Sequence, residues 1–332
     1  MAQFSRRQMI AGSLSAAALA PVSHLTPARA SAPQIGKQSP GFYRYRLGDF
    51  EVTAVTDGAI RQPLADSYVV NATRDQVNTA LGAMHLERDR IFAPLTPVVI
   101  NTGTRLVVID TGLGPTAFEQ SKGAVGQFHT NLAAAGIDAA AVDAVVLSHL
   151  HRDHVGGLLT KERNPTFPNA EIFVPAADWR FWSDDGNLTR MTTGSIPEIN
   201  FRNNKQVFAS LKNRVTLYDA DKEVQPGILS VPAYGHTPGH TAHLITSGSA
   251  KVLLQADLTA FSATLFVANP GWHVFFDMDG AAAESSRRRI YDMAASEKLL
   301  VQGYHLPFPS LGQIERQGSA YRFVPATWNS SL

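Results

Sequence analysis

A β-branched run that stops at a knot of imidazoles sets the strongest limit on how this chain folds. Ala144-Val-Val-Leu-Ser-His149 reads as a strand buried on both faces, and it ends at four potential metal ligands within six residues: His149, His151, Asp153 and His154. A strand throws His149 and His151 to one face. A turn from Asp153 brings Asp153 and His154 round to a neighbouring point. Gly156 and Gly157 then allow a close backbone approach. Imidazole together with carboxylate is a ligand set for borderline divalent metals such as zinc, manganese or iron. A metal-free polar turn is the bland alternative, and four such side chains at one strand end argue against it.

The same texture recurs on both sides. Pro97-Val-Val-Ile-Asn-Thr-Gly103 and Arg105-Leu-Val-Val-Ile-Asp-Thr-Gly112 are short buried runs, with a hairpin turn at Asn101-Thr102-Gly103. Phe50 to Thr56 alternates and stops at Asp57-Gly58, while residues 33–48 suit an arm or edge strand. Thr73, with Asp75 and Gln76 behind it, opens a helix continued by Val77–Leu86. One covering helix is expected over Thr116–Ala135, interrupted by Gly123 and Gly126. The aromatic stretch from Asp178 to Lys212 suggests a helical insertion over an opening. The second half adds RVTLYDAD, GILSVPAY, TAHLITSG and KVLLQAD, then an amphipathic helix over Ala281–Leu300. Strands with helices in each half imply two sheets, each covered outside by helices.

Composition narrows the class. The 332 residues are 44% hydrophobic and 17% charged, which excludes a disordered chain and suffices for a large core. There is no cysteine, so thiolate ligands and disulfides are excluded. Residues 1–32 read as an export signal of twin-arginine type: Arg6-Arg7, a short apolar run from Met9 to Leu19, and small residues around Ala28-Arg29-Ala30. That run is too short to span a bilayer. The expectation is a periplasmic or secreted protein with one domain over residues 33–332. The first 30 residues hold three arginines and no acid, so removing them leaves 26 basic against 28 acidic residues. A slightly acidic body argues against nucleic acid as partner.

Further candidate ligands stand at later strand ends: His236-Thr-Pro-Gly-His240, Asp257 and His305. Spacing alone does not choose among His236, His240 and His243.

The stretch HLHRDHVGG, with HTPGH, LLQAD and a late Tyr-His, resembles the metallo-β-lactamase superfamily and its His-x-His-x-Asp-His hallmark. LGDFEVTAVTDG, TPVVINTGTRLVVIDTG, YGHTPGHT and YRFVP are similar to the methyl parathion hydrolase branch and its lactonase-like relatives. The resemblance runs over essentially all of the chain after the leader. It implies an α+β fold, an αββα sandwich of two mixed sheets. It implies two divalent ions, zinc first, with manganese or cobalt also suited. His149, His151 and His240 would hold one ion, Asp153, His154 and His305 the other, with Asp257 bridging; His236 would stand outside the ligand set. A hydroxide between the metals would attack, with Asp153 and Asp257 as the catalytic carboxylates. Phe118, Trp179, Trp182, Phe201, Leu258 and Phe276 are the candidate substrate pocket, suited to a small neutral apolar ester. The implied reaction is hydrolysis of organophosphate triesters; lactone or aryl-ester hydrolysis is the alternative, and β-lactam hydrolysis ranks behind both. Arg152 is a candidate cation for an anionic substrate, set against its reading as a solvated turn residue. A non-catalytic, metal-stabilised binding domain would require a missing ligand. The resemblance also implies a homodimer, to which Phe42-Tyr43-Arg44-Tyr45 could contribute.

Overall fold

Two seven-stranded sheets stack face to face, and the alternation of side chains along the buried strands explains why. The computed structural model describes residues 34, 36 and 38–332, so the expected leader lies outside the described residues. In chain order the first half holds β1 (Phe42–Leu47), β2 (Phe50–Val55), β3 (Gly58–Pro63), α1 (Arg74–Ala83), β4 (Arg90–Leu95), β5 (Val98–Asn101), β6 (Leu106–Ile109), α2 (Gly114–Gln120) and α3 (Phe128–Ala134). It continues with β7 (Ala144–Val146), α4 (Arg152–Val155), β8 (Glu171–Pro175), α5 (Ala176–Ser183), α6 (Asp185–Leu188), α7 (Ile196–Phe208) and β9 (Val215–Tyr218). The second half holds β10 (Glu223–Gln225), β11 (Ile228–Pro232), β12 (Thr241–Ser247), β13 (Ala250–Leu254), α8 (Ala263–Ala268), α9 (Gly280–Ser296), β14 (Leu300–Gln302), β15 (Leu311–Gln317) and β16 (Ala320–Pro325).

The first sheet runs β1-β2-β5-β6-β7-β8-β9, antiparallel as far as β6 and parallel from there. The second runs β10 to β16 in sequence, with β13 and β14 the one parallel pair. Val98, Ile100, Val107, Ile109 and Val146 point inward, against Ile245, Val252 and Leu254 of the second sheet. Their neighbours Val99, Val108 and Val145 point outward, beneath Phe128 of α3, Trp182 of α5 and Phe201 of α7. Ile290, Tyr291 and Ala294 of α9 cover the outer face of the second sheet. Each fully buried aliphatic side chain contributes about 1.5–3 kcal/mol, so both faces of the sheets are stabilised by the same period-two pattern. This is the αββα sandwich that the resemblance implied.

Two expectations change, and one element is new. The covering helix over Thr116–Ala135 is two helices, α2 and α3, because the chain takes left-handed turns at Gly123 (φ +85°) and Gly126 (φ +76°). The RVTLY strand, β9, joins the first sheet. A separate hairpin, β3–β4, occupies the stretch around 58–95, with the α1 helix inside it, capped by Thr73 and Gln76 as expected. Among the described residues no helix is long and apolar enough to cross a membrane.

Candidate metal centre

Several strands of the two sheets end at one rim of the sandwich, and the residues just past those ends converge there. β6 leads to Asp110, β7 to His149, β11 to His236, β13 to Asp257 and β14 to His305. Two groups form: His149, His151 and His236, all buried, and Asp153, His154, Asp257 and His305. Within each group the candidate donor atoms lie within 4.8 Å of one another. Asp257 joins them, its Oδ2 standing 3.3 Å from His236 Nε2 and 3.1 Å from His305 Nε2, while Oδ1 is 3.1 Å from His154 Nε2.

In His149, His154, His236 and His305 the outward nitrogen is already committed, which turns the other one inward. His154 Nδ1 donates to Asp110 Oδ2 (2.8 Å) and His236 Nδ1 to Asp277 Oδ1 (2.8 Å). His305 Nδ1 donates to the Pro94 carbonyl (2.8 Å). His149 Nδ1 meets Ser148 Oγ (3.0 Å), whose hydroxyl donates to Asp110 (2.8 Å). His149 Nε2, His154 Nε2, Asp153 Oδ2 and Asp257 Oδ1 are buried and make no aligned hydrogen bond, although His154 Nε2 and Asp257 Oδ1 lie close to each other. Four orphaned polar atoms in one place would be costly unless a cation satisfied them. Imidazoles with outward N–H groups on carboxylates and carbonyls are the usual supports of a metal site. The residues therefore fit a pair of divalent ions, and identify no particular metal.

The electrostatics are consistent with that. Burial opposes ionisation of Asp257, yet the imidazoles of His305 and His154 outweigh it and hold its carboxyl well below the usual carboxylate range. Burial also opposes protonation of His154, but Asp257, Asp110 and Asp153 lift it well above an ordinary histidine. His236 is pushed up to about 9, the hydrogen bonds and charges of Asp257 and Asp277 overcoming burial. His149 and His151 are held well below, by burial first and then by neighbouring imidazoles.

The structure corrects the ligand expectation at one position. His236 faces the cluster, with Nε2 2.9 Å from His151 Nδ1. His240 does not: its Nδ1 donates to the Ala233 carbonyl (2.7 Å) and its Nε2 accepts from the Asp257 backbone N–H (3.0 Å). Both of its nitrogens are taken by the backbone, so it braces the turn that presents Asp257. His243 lies further off, beneath Tyr218 (Nε2 to Oη 3.2 Å).

Two buried carboxylates that the sequence did not single out hold the frame. Asp110 accepts from Ser148 N (2.8 Å) as well as from Ser148 Oγ and His154. Asp178 of α5 accepts from Leu150 N (2.8 Å) and Gly239 N (2.7 Å), and so ties the two histidine loops together. The Gly156-Gly157 pair serves the fold differently from expectation: a Cβ at Gly157 would lie 2.0 Å from the Thr111 carbonyl, so it packs backbone on backbone.

The cleft over the cluster has a volume of about 140 Å³ and is lined by His151, Asp153, His236, Asp257, Gln62, Ile196, Asn200, Phe261, Phe275 and Phe276. It shares Asp153, Ile196, Asn200 and Phe261 with a groove of about 520 Å³ walled by Ile60, Leu113, Ala117, Val125 and Ile199. Of the candidate pocket residues, Phe276 lines the cleft. Trp179 packs against Phe208 (5.1 Å between rings), and Phe201 is fully buried. Trp182 lies behind His151 (5.9 Å), and Leu258 faces the core beneath α9. Phe118 sits exposed on α2, lining neither cleft nor groove. Trp179, Trp182 and Phe201 pack instead into the helical cover of the first sheet. Ile60 and Gln62 come from the unforeseen β3 hairpin, which has no motif to mark it.

Comparison with known proteins agrees with this geometry. An N-acyl homoserine lactonase from Bacillus sp is 28% identical over 158 residues, 47% of this chain and 53% of that protein. Its counterpart from Bacillus cereus is 27% identical over the same length and shares. The chain spans about half the length of the curated relatives it matches. Among solved structures, a hydrolase of the beta lactamase superfamily, AbOPH, superposes with a TM-score of 0.80 over 89% of this chain and 100% of that one, at 24% identity, a likeness of fold. AidC, described as a dizinc quorum-quenching lactonase in complex with a product, gives 0.79 over 87% and 99%, at 25% identity. The curated relatives and AidC are named as lactonases, and none of these proteins is named methyl parathion hydrolase, toward which the motifs point. The Metallo-beta-lactamase superfamily model matches residues 96–305, from the turn before β5 to His305 itself, and the chain belongs to that superfamily.

Proposed function

We propose that this protein hydrolyses lactones bearing an apolar acyl chain, using two divalent metal ions, with zinc the first choice. The observation that carries the reading is the junction of a partly orphaned His/Asp cluster with an apolar groove. The ester would sit at the cluster and the chain would extend along Ile60, Leu113, Val125 and Ile199. The lactonase relatives support this choice over phosphotriester hydrolysis, which the sequence motifs had favoured.

His149, His151 and His236 would hold one ion, and Asp153, His154 and His305 the other, with Asp257 between. Divalent ions bound there supply Lewis acidity toward an ester or phosphoryl oxygen and lower the pKa of water. Asp153 is the most open member of the cluster, at 14% side-chain exposure, and whichever of its carboxylate oxygens is not on an ion would accept a proton during attack. Phe261, Phe275 and Phe276 exclude solvent and strengthen the electrostatics beneath them. Export through the leader and assembly as a homodimer belong to the same proposal, supported by the Arg6-Arg7 signal pattern and the family likeness.

The deciding experiment assays the zinc-loaded protein side by side on N-hexanoyl homoserine lactone, an aryl phosphotriester, an aryl acetate and a β-lactam. We expect kcat/KM for the lactone to exceed that for the phosphotriester by at least about 10-fold, a difference of some 1.4 kcal/mol in transition-state binding. A phosphotriester preferred by that margin overturns the lactone reading and leaves the two-metal hydrolase intact.

A further inference from the structure

The segment Asn269–Asp279, between α8 and α9, carries the cleft aromatics Phe275 and Phe276. It is tied at both ends to the residues of the proposed metal centre. At its start, Arg287 of α9, fully buried, donates from Nη1 to the carbonyls of Pro270 (2.7 Å) and Trp272 (2.9 Å). The Nε of the same guanidinium donates to the carbonyl of Leu258 (2.8 Å), the residue after Asp257. At its end, Met278 N donates to the His236 carbonyl (3.2 Å) and Asp279 N to Gly235 (2.8 Å). Asp277 Oδ1 takes the Nδ1–H of His236 itself (2.8 Å). Asp277 Oδ2 is buried without a hydrogen bond, with Arg287 Nη2 3.8 Å away.

A buried carboxylate and a buried guanidinium are a costly way to anchor a surface loop, since backbone hydrogen bonds alone would hold it. Their placement makes sense if the loop and the cluster act together. We infer that Asp277 is a positioning residue for His236 and that, with Arg287, it couples the seating of the Phe275–Phe276 segment to metal occupancy. The inference rests on the cluster being a metal centre. Asp277 fixes the His236 ring so that Nε2 points at His151 Nδ1 and Asp257 Oδ2. A cation held at Nε2 polarises the Nδ1–H and strengthens its bond to Asp277, drawing the segment down. By reciprocity, an apolar ester that packs on Phe276 and favours the seated segment tightens metal binding.

The test needs no substrate. Metal-depleted wild type is titrated with zinc against a chelator, and hydrogen exchange of the peptide covering residues 269–279 is followed with and without zinc. Wild type is expected to bind two ions and to slow exchange in that peptide severalfold on loading. In Asp277→Ala one of the two ions should bind about 10- to 100-fold more weakly, as for other carboxylates supporting ligand histidines, and zinc at wild-type saturating levels should no longer slow the exchange. Asp277→Asn, which keeps an acceptor for Nδ1–H without the charge, should fall between; it carries the comparison if the alanine variant does not fold. Asp292→Asn, on the opposite side of α9 in a pair with Arg316, should match wild type. If both Asp277 variants bind two ions with wild-type affinity, or zinc leaves exchange of the wild-type segment unchanged, the coupling is overturned. A wild type that binds no zinc overturns the metal reading itself, a result distinct from the first.

Discussion

The two histidine loops of the centre are similar in composition and opposite in economy. After β7, four side chains in six residues, His149, His151, Asp153 and His154, all reach the cluster, two from an extended stretch and two from the first turn of α4. After β11, the loop His236-Thr-Pro-Gly-His240 offers two imidazoles, and only His236 reaches it. His240 is turned back by the Ala233 carbonyl and the Asp257 N–H. Proximity to a site in sequence does not make a histidine a ligand; what matters is whether the backbone has already claimed its two nitrogens.

The sharpest way to break that contrast is to remove each histidine in turn. His236→Ala should drop metal content from near two ions toward one and lower kcat/KM more than about 100-fold, beyond the 10- to 100-fold typical of supporting residues. His240→Ala should keep both ions at saturating metal. It leaves the Asp257 N–H and the Ala233 carbonyl without their partner, a cost of about 1–3 kcal/mol for each buried group left unsatisfied, visible in urea unfolding. Metal analysis of the two proteins decides, and loss of an ion from the His240 variant alone would restore the assignment expected from sequence.

A smaller effect tests what the loops share. Asp178 accepts the backbone N–H of Leu150 in one loop and of Gly239 in the other. Burial pushes its carboxyl above the ordinary range, while these N–H donors pull it back. Asp178→Ala should destabilise the fold by about 3 kcal/mol or more, from three buried donors left unpaired, Leu150 N, Gly239 N and Trp182 Nε1, and weaken both metal sites together. An effect confined to one site would show that the loops are held independently.

What was legible in the sequence follows the same division. The sandwich could be read because buried β-branched runs declare strands, and the His149–His154 turn because its four candidate ligands fall within six residues. The His236 loop was read wrongly, since the choice between His236 and His240 depends on hydrogen bonds from Ala233 and Asp257. Asp57 shows a further limit. Asp57-Gly58 reads as a turn, yet the carboxylate accepts from Leu113 N (2.8 Å) and Phe128 N (2.9 Å), fastening α2 and α3 beside the groove. Those partners lie 56 and 71 residues away, beyond any local pattern. The pocket failed for a related reason, because Trp179 and Phe201 belong to helices whose apolar faces turn to the first sheet and away from the cleft.

The smallest effect concerns His243, which begins two residues into β12 where the second loop becomes sheet. Burial holds it down to about 4 against an ordinary 6.5, so in the folded protein it is neutral, with Nε2 beside Tyr218 Oη and a buried, unpartnered Nδ1. Between pH 6.5 and 4 the unfolded chain binds a proton here that the folded chain refuses. Its contribution to stability is therefore complete above pH 6.5 and is lost as the pH falls toward 4. His243→Gln, which has no proton to gain, should remove that part of the acid sensitivity, on the order of 3 kcal/mol across the window. Urea unfolding of both metal-free proteins at pH 7 and pH 4.5 measures it. Equal losses in the two proteins would mean that His243 is satisfied when charged, and that acid sensitivity resides in the cluster of the first loop.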